Sequence, residues 1–145
     1  MRAKEIAVAA AVTAALCAAP QASAEAACGT TADQWVGTFT GTVHYAQFDS
    51  TSELRVVVDR GGPNGLTVRT TNGGETYEPR DEYTAINSGT LDWYGVTELD
   101  YWHYYNTTAV TCSGDAVSTF SGRERVPWAA PGWFYYGDFQ LTRVG

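Results

Sequence analysis

Glu98, Asp100 and His103 lie within one short stretch and are the side chains in this sequence best placed to move protons. If Val96 to Tyr105 runs as a strand, Glu98 and Asp100 share a face with Trp102 and Tyr104, and His103 lies on the other. Carboxylates at i and i+2 then stand roughly 7 Å apart, near the separation at which paired acids act on a glycosidic bond. A carboxyl group among aromatic rings can also hold its proton and serve as a general acid. The same residues would equally make an ordinary solvated hairpin edge, so no catalytic assignment follows from spacing alone.

The second chemical resource is aromatic. The chain has five Trp, nine Tyr and five Phe, and all of them fall after residue 34. Strands favour such residues, and Phe39, Phe120, Phe139 and Trp133 read as core. The runs Trp93-Tyr94 and Tyr101-Trp102-His103-Tyr104-Tyr105 exceed what one buried face can absorb, because consecutive strand residues point to opposite faces. Some of these rings must lie outside the core or line a cavity. There they could stack on sugar rings or on a flat organic ligand. Trp93, Tyr101, Trp102, Tyr104 and Trp128 are the candidate ligand-binding rings, with Arg125, Glu98 or Asp100 as an orienting polar contact. The segment Arg123-Glu124-Arg125-Val126-Pro127-Trp128 reads as a connecting loop; a protease-blocking loop would need disulfide bracing nearby.

Other chemistries find no support. Two histidines and widely spaced cysteines do not make a zinc site, and there is no Asp-x-Asp-x-Asp-Gly calcium loop. Phosphate loops and Gly-x-Ser-x-Gly elbows are missing. A serine nucleophile would have to recruit His44 or His103, with nothing in the sequence to pair it. No metal or cofactor is expected. Asn106-Thr107-Thr108 is a glycosylation sequon for a host that modifies exported proteins.

The elements that would position these residues are short alternating segments separated by Gly, Asn, Asp and Pro, the signature of an all-β chain. In the clearest, Trp35 to Tyr45, an aromatic face with Gly37 and Gly41 opposes a threonine-rich one. Glycines on a packed face mark bending or the close approach of another backbone. Further strands are expected over 54–59, 66–71, 75–78, 83–86, 90–94, 96–105, 108–112 and 116–121, with a long proline-braced loop over 122–132. The last, Trp133 to Arg143, alternates cleanly. Sequential hairpins favour an antiparallel up-and-down barrel of eight or nine strands, with a sandwich as the alternative.

The start of the chain bears on where the domain works. Arg2 and Lys4 precede an apolar run from Ile6 to Ala19, then Pro20 and Ala22-Ser23-Ala24. This order is that of a secretory signal peptide over 1–24. The run is short of the roughly 18–20 residues a membrane span needs. A single exported domain, 25–145, is expected to follow. Cys17 goes with the signal, leaving Cys28 and Cys112 to form one disulfide in an oxidising compartment. That domain holds seven Arg, no Lys and fifteen acids, a net charge of about −8. Nucleic acid and anionic membranes both select clustered Lys and Arg, so neither is an expected partner.

Two terminal features carry a resemblance. The start Trp35-Val36-Gly37 and the ending Gly137-x-Phe139-x-Leu141-x-Arg143 resemble those of small bacterial calycin-type barrels, the lipocalin and avidin group. The resemblance implies a closed antiparallel barrel holding a small molecule at its open mouth. It covers the two terminal strands; the Gly-x-Trp order of lipocalins and the biotin-contacting residues of avidin are not matched.

The expected protein is therefore a secreted, acidic, lipocalin-like barrel that binds a small hydrophobic or carbohydrate-like ligand. A secreted inhibitor or protein-interaction module is the alternative and would show a flat or convex aromatic patch. A small barrel hydrolase or cyclase would instead show an inward-facing acid within reach of a cavity.

Overall fold

The computed structural model describes residues 26–128 and 132–145. The expected signal peptide, 1–24, lies outside the described residues, as do positions 129–131 of the expected loop. The chain is all-β. Its strands are β1 (Gly37–Tyr45), β2 (Ser50–Arg60), β3 (Leu66–Asn72), β4 (Glu75–Thr76), β5 (Glu78–Pro79), β6 (Ala85–Asn87), β7 (Thr90–Val96), β8 (Trp102–Ser113), β9 (Ala116–Pro127) and β10 (Phe134–Arg143). A short helix, α1 (Ala32–Trp35), precedes β1, and a 3₁₀ turn (Asp81–Tyr83) follows β5.

Neighbouring strands are antiparallel in the order β4-β3-β2-β1-β10-β9-β8-β7-β5, with β6 also paired to β7. The first and last long strands lie side by side, Phe39 opposite Arg143 and Gly41 opposite Leu141. The alternating glycine has a physical reason here: a Cβ on Gly41 would fall 1.8 Å from the Gln140 carbonyl oxygen. The remaining gap, between β3 and β7, is bridged by the short β4–β5 segment. β4 pairs with β3 and β5 with β7, and the Tyr77 amide donates to the Thr70 carbonyl at 2.8 Å. The result is a nearly closed nine-strand barrel rather than a sandwich.

Several boundaries differ from expectation. The segments expected over 96–105 and 108–112 merge into one strand, β8. Trp35 belongs to α1, not to β1. Thr31 and Gln34 form a capping box at the helix start, and the Trp35 indole donates to the Gly29 carbonyl at 2.7 Å. The segment 122–127 is not loop but the second half of β9, so the connection to β10 is short. Glu98 and Asp100 are not on a strand; they lie exposed between β7 and β8, with Asp100 at φ 64°. Asp is among the few residues that accept this left-handed conformation at modest cost.

One end of the barrel is filled. Trp93 and Tyr105 stack at 4.8 Å with their planes 6° apart, and Phe39, Phe120 and Phe139 pack edge-on around them. Each such ring contributes about 1.5–3 kcal/mol by leaving water. Arg143 seals this end. Its guanidinium donates to the carbonyls of Val117 (2.6 Å), Val36 (2.7 Å) and Gln34 (3.0 Å) and covers the Phe39 face at 4.7 Å. The Cys28–Cys112 disulfide pins the segment before α1 to the end of β8.

Candidate functional site

At the other end the aromatic packing stops and the barrel opens. Three segments and one further residue frame this mouth: 46–49 between β1 and β2, 73–76 after β3, 97–101 between β7 and β8, and Trp128 after β9. The cavity holds about 590 Å³ and is lined by Phe48, Tyr77, Tyr101, Trp128 and Tyr135, with His103, Glu75, Thr97, Leu99, Val126 and Pro127. That volume suits a small organic ligand. Phe48 meets Trp128 and Tyr135 edge-on at 5.6 and 5.3 Å, making one wall. Tyr77 makes another, its ring 4.4 Å from the imidazole of His103.

Behind His103 lies the least expected residue of the structure. Glu124 is fully buried. On β9 the buried Glu124 and Val126 alternate with the exposed Arg123, Arg125 and Pro127, so strand parity carries the acid inward between two arginines that stay in solvent. Three side chains converge on it. His103 Nδ1 lies 2.5 Å from Oε1, the Tyr45 hydroxyl donates to Oε2 at 2.8 Å, and Asn72 Nδ2 reaches both that hydroxyl (2.8 Å) and Oε2 (3.5 Å). These four residues come from β1, β3, β8 and β9, so the network exists only once the barrel has closed. Two glycines make room for it. A Cβ on Gly137 would come within 2.6 Å of the Tyr45 ring, and one on Gly95 within 2.8 Å of Tyr77.

A carboxylate only accepts, so Nδ1 carries the proton in this pair. Among the described residues Nε2 of His103 has no hydrogen-bond partner, although the residue is only 6% exposed and lines the cavity. A carboxylate-held imidazole of this kind can orient a polar ligand or exchange a proton with it. Among the described residues, no serine or cysteine lines the cavity.

The network also predicts an alkaline limit to stability. Burial first, and then the negative charge of Glu124, push the phenol pKa values of Tyr45, Tyr77 and Tyr105 above the ordinary 10.0. In the unfolded chain these phenols ionise near pH 10, while in the fold they stay protonated. Stability is thus complete below pH 10 and falls as pH rises above it. Followed at 295 nm, these three should be missing from the reversible phase of tyrosine ionisation and should appear only with unfolding. Smooth ionisation of every tyrosine near pH 10 in folded protein would contradict the buried network.

The sequence-derived candidates divide four ways. His103, Tyr101 and Trp128 line the mouth. Glu98 and Asp100 sit on its rim. Trp93 is in the core, its indole donating to the Thr70 hydroxyl at 2.9 Å, so it supports the barrel and does not face the cavity. Trp102, Tyr104 and Arg125 lie on the outer face. There a ladder runs across β7 to β10: Arg80 over Trp102 (5.3 Å), Trp102 to Tyr94 (5.9 Å), Tyr94 to Tyr104 (4.7 Å), and Arg125 between Tyr104 (5.1 Å) and Phe134 (5.0 Å). Glu124, Tyr45 and Asn72 were not among the candidates. The one sequence signal for Glu124 is the alternation Gly122, Glu124, Val126 against Arg123, Arg125.

Comparison with protein-family models, curated proteins and solved structures finds no match to this chain.

Proposed function

We propose that this is an exported binding protein that holds a small, ring-bearing organic ligand in the mouth of its barrel. The observation that carries the proposal is the cavity itself: about 590 Å³, lined by five aromatic side chains and by His103, whose Nε2 has no hydrogen-bond partner among the described residues. A rigid aromatic wall supplies contact area at low entropic cost, and a single fixed polar group supplies orientation. The Cys28–Cys112 bridge fits an oxidising compartment.

Ligand-observed NMR with a set of small aromatic and cyclic compounds tests this. Hits should compete for one site, and Trp128→Ala or Tyr101→Ala should each weaken them about ten-fold, roughly 1.4 kcal/mol. Tyr104→Ala, on the outer face, should leave them unchanged. Hits indifferent to Trp128 and Tyr101, or no hits, would remove the cavity from the account.

The outer ladder favours a second reading, an interaction module. It leaves Phe134 and Tyr136 exposed beside Arg123 and Arg125 on the outer face of the barrel. A partner bound there would be lost on Tyr104→Ala with Arg125→Ala and would tolerate Trp128→Ala.

A further inference from the structure

The charges around the mouth say what kind of ligand it takes. The segments that frame it, 46–49, 73–76 and 97–101, carry Asp49, Glu75, Glu98 and Asp100, and neither they nor Trp128 supply an Arg or Lys. Glu75 itself lines the cavity, and Glu124 lies directly behind His103.

Every arginine among the described residues is placed elsewhere. Arg80, Arg123 and Arg125 lie on aromatic rings of the outer face. Arg143 seals the filled end, where Arg60 also pairs with Asp33 of α1. Arg55 and Arg69 point to solvent from β2 and β3. Among the described residues, no Arg or Lys is therefore left to meet an anionic ligand in the cavity. Five aromatic rings line that same space, and a ring face attracts a cation. With Nδ1 donating to Glu124, Nε2 of the neutral His103 ring, in a side chain more than nine-tenths buried, offers a lone pair that no donor among the described residues fills.

We propose that the mouth binds an organic cation, specifically a primary ammonium carried on a small apolar or aromatic body. The rings enclose the body and the face of the cation. One ammonium N–H donates to Nε2 of His103, and Glu124 on the far side of the imidazole holds the ring in the tautomer that accepts it. The rim carboxylates and the overall negative charge raise the local concentration of cations. A bare metal ion does not fit, since among the described residues no three His, Cys, Asp or Glu side chains gather to ligate one. The proposal rests on the cavity reading above and adds the sign of the charge.

Isothermal titration with three probes of matched shape tests it: 2-phenylethylammonium, 2-phenylethanol and 3-phenylpropionate. The cation should bind about ten-fold more tightly than the alcohol, with the carboxylate weakest. Glu75→Gln, an exposed change, should weaken the ammonium about three-fold and leave the alcohol unaffected. An alcohol that binds as tightly as the ammonium would overturn the charge assignment while leaving the cavity reading intact. So would a carboxylate that binds best, or failure of all three probes while other ring compounds compete at the mouth by NMR. Absence of any ligand at the mouth in both experiments would overturn both readings.

Discussion

Replacing Glu124 with alanine is expected to cost about 3–5 kcal/mol of folding stability, seen as a lower midpoint of urea unfolding with an unchanged slope. The carboxylate is fully buried and accepts from three donors on three other strands. Without it, the Tyr45 hydroxyl, the Asn72 amide and His103 Nδ1 lose their common acceptor. Each buried polar group left without a partner costs about 1–3 kcal/mol. Water could enter from the mouth and recover part of this, which holds the expected loss below the full sum. Glu124→Gln separates shape from charge. It keeps the volume and one acceptor oxygen but turns an –NH₂ toward one of the donors, and should cost roughly half as much. In both variants the buried phenols lose the charge that helps hold their protons, so the alkaline transition should broaden toward ordinary tyrosine ionisation. A Glu124→Ala protein within about 1 kcal/mol of the parent would mean that the donors are satisfied without the carboxylate.

The same residue shows why the architecture was easier to read than the site. The patterns read over 35–45 and 133–143 announce two packed strands, and their pairing follows from barrel closure, although Trp35 folds into α1 and Trp133, read as core, is exposed just before β10. The disulfide follows from Cys28 and Cys112 being the two cysteines outside the segment expected to be a signal peptide. Glu124 was hidden because its neighbours speak for a loop: two arginines, then a proline two residues beyond. Only the parity of a strand long enough to reach Pro127 turns the acid inward. Along β8 the difficulty is different. Both parities of 101–105 carry aromatic residues, so the sequence could require rings on both faces without saying that Tyr105 and His103 face in while Trp102 and Tyr104 face out. Irregularities between Thr107 and Ala109 and between Thr111 and Cys112 then break the alternation, so the phase cannot be carried back from the far end of the hairpin. Glu98 and Asp100 were misplaced because Thr97-Glu98-Leu99-Asp100 alternates like a strand. The chain turns there instead, with Asp100 taking the left-handed conformation and the Tyr101 amide donating to the Thr97 side chain at 3.1 Å.

Removing the disulfide, by Cys28→Ser with Cys112→Ser, should cost on the order of 4 kcal/mol, because the bridge constrains a long loop in the unfolded chain. Its cysteines are 84 positions apart. The fold should survive in the variant, since other contacts hold the same N-terminal segment. The Trp35 indole binds the Gly29 carbonyl, Arg143 binds the carbonyls of Gln34 and Val36, and Arg60 pairs with Asp33. Arg143→Ala in the oxidised protein should cost about 2–3 kcal/mol, through lost charge-assisted hydrogen bonds and the exposed Phe39 face. The two losses should not add. Once the bridge is gone the segment before β1 frays more readily, and the Arg143 contacts to Gln34 and Val36 are already weakened when the arginine is removed. Contacts to Val117 and Phe39 lie on the barrel itself and do not weaken in this way, so a partial coupling of about 0.5–1 kcal/mol is expected. Strict additivity would mean that bridge and arginine hold independent parts of the molecule. Both clamps act at the filled end, with the stacked Trp93 and Tyr105 between them and the mouth. Ligands that compete for the cavity should therefore bind the disulfide-free protein with unchanged affinity wherever it remains folded.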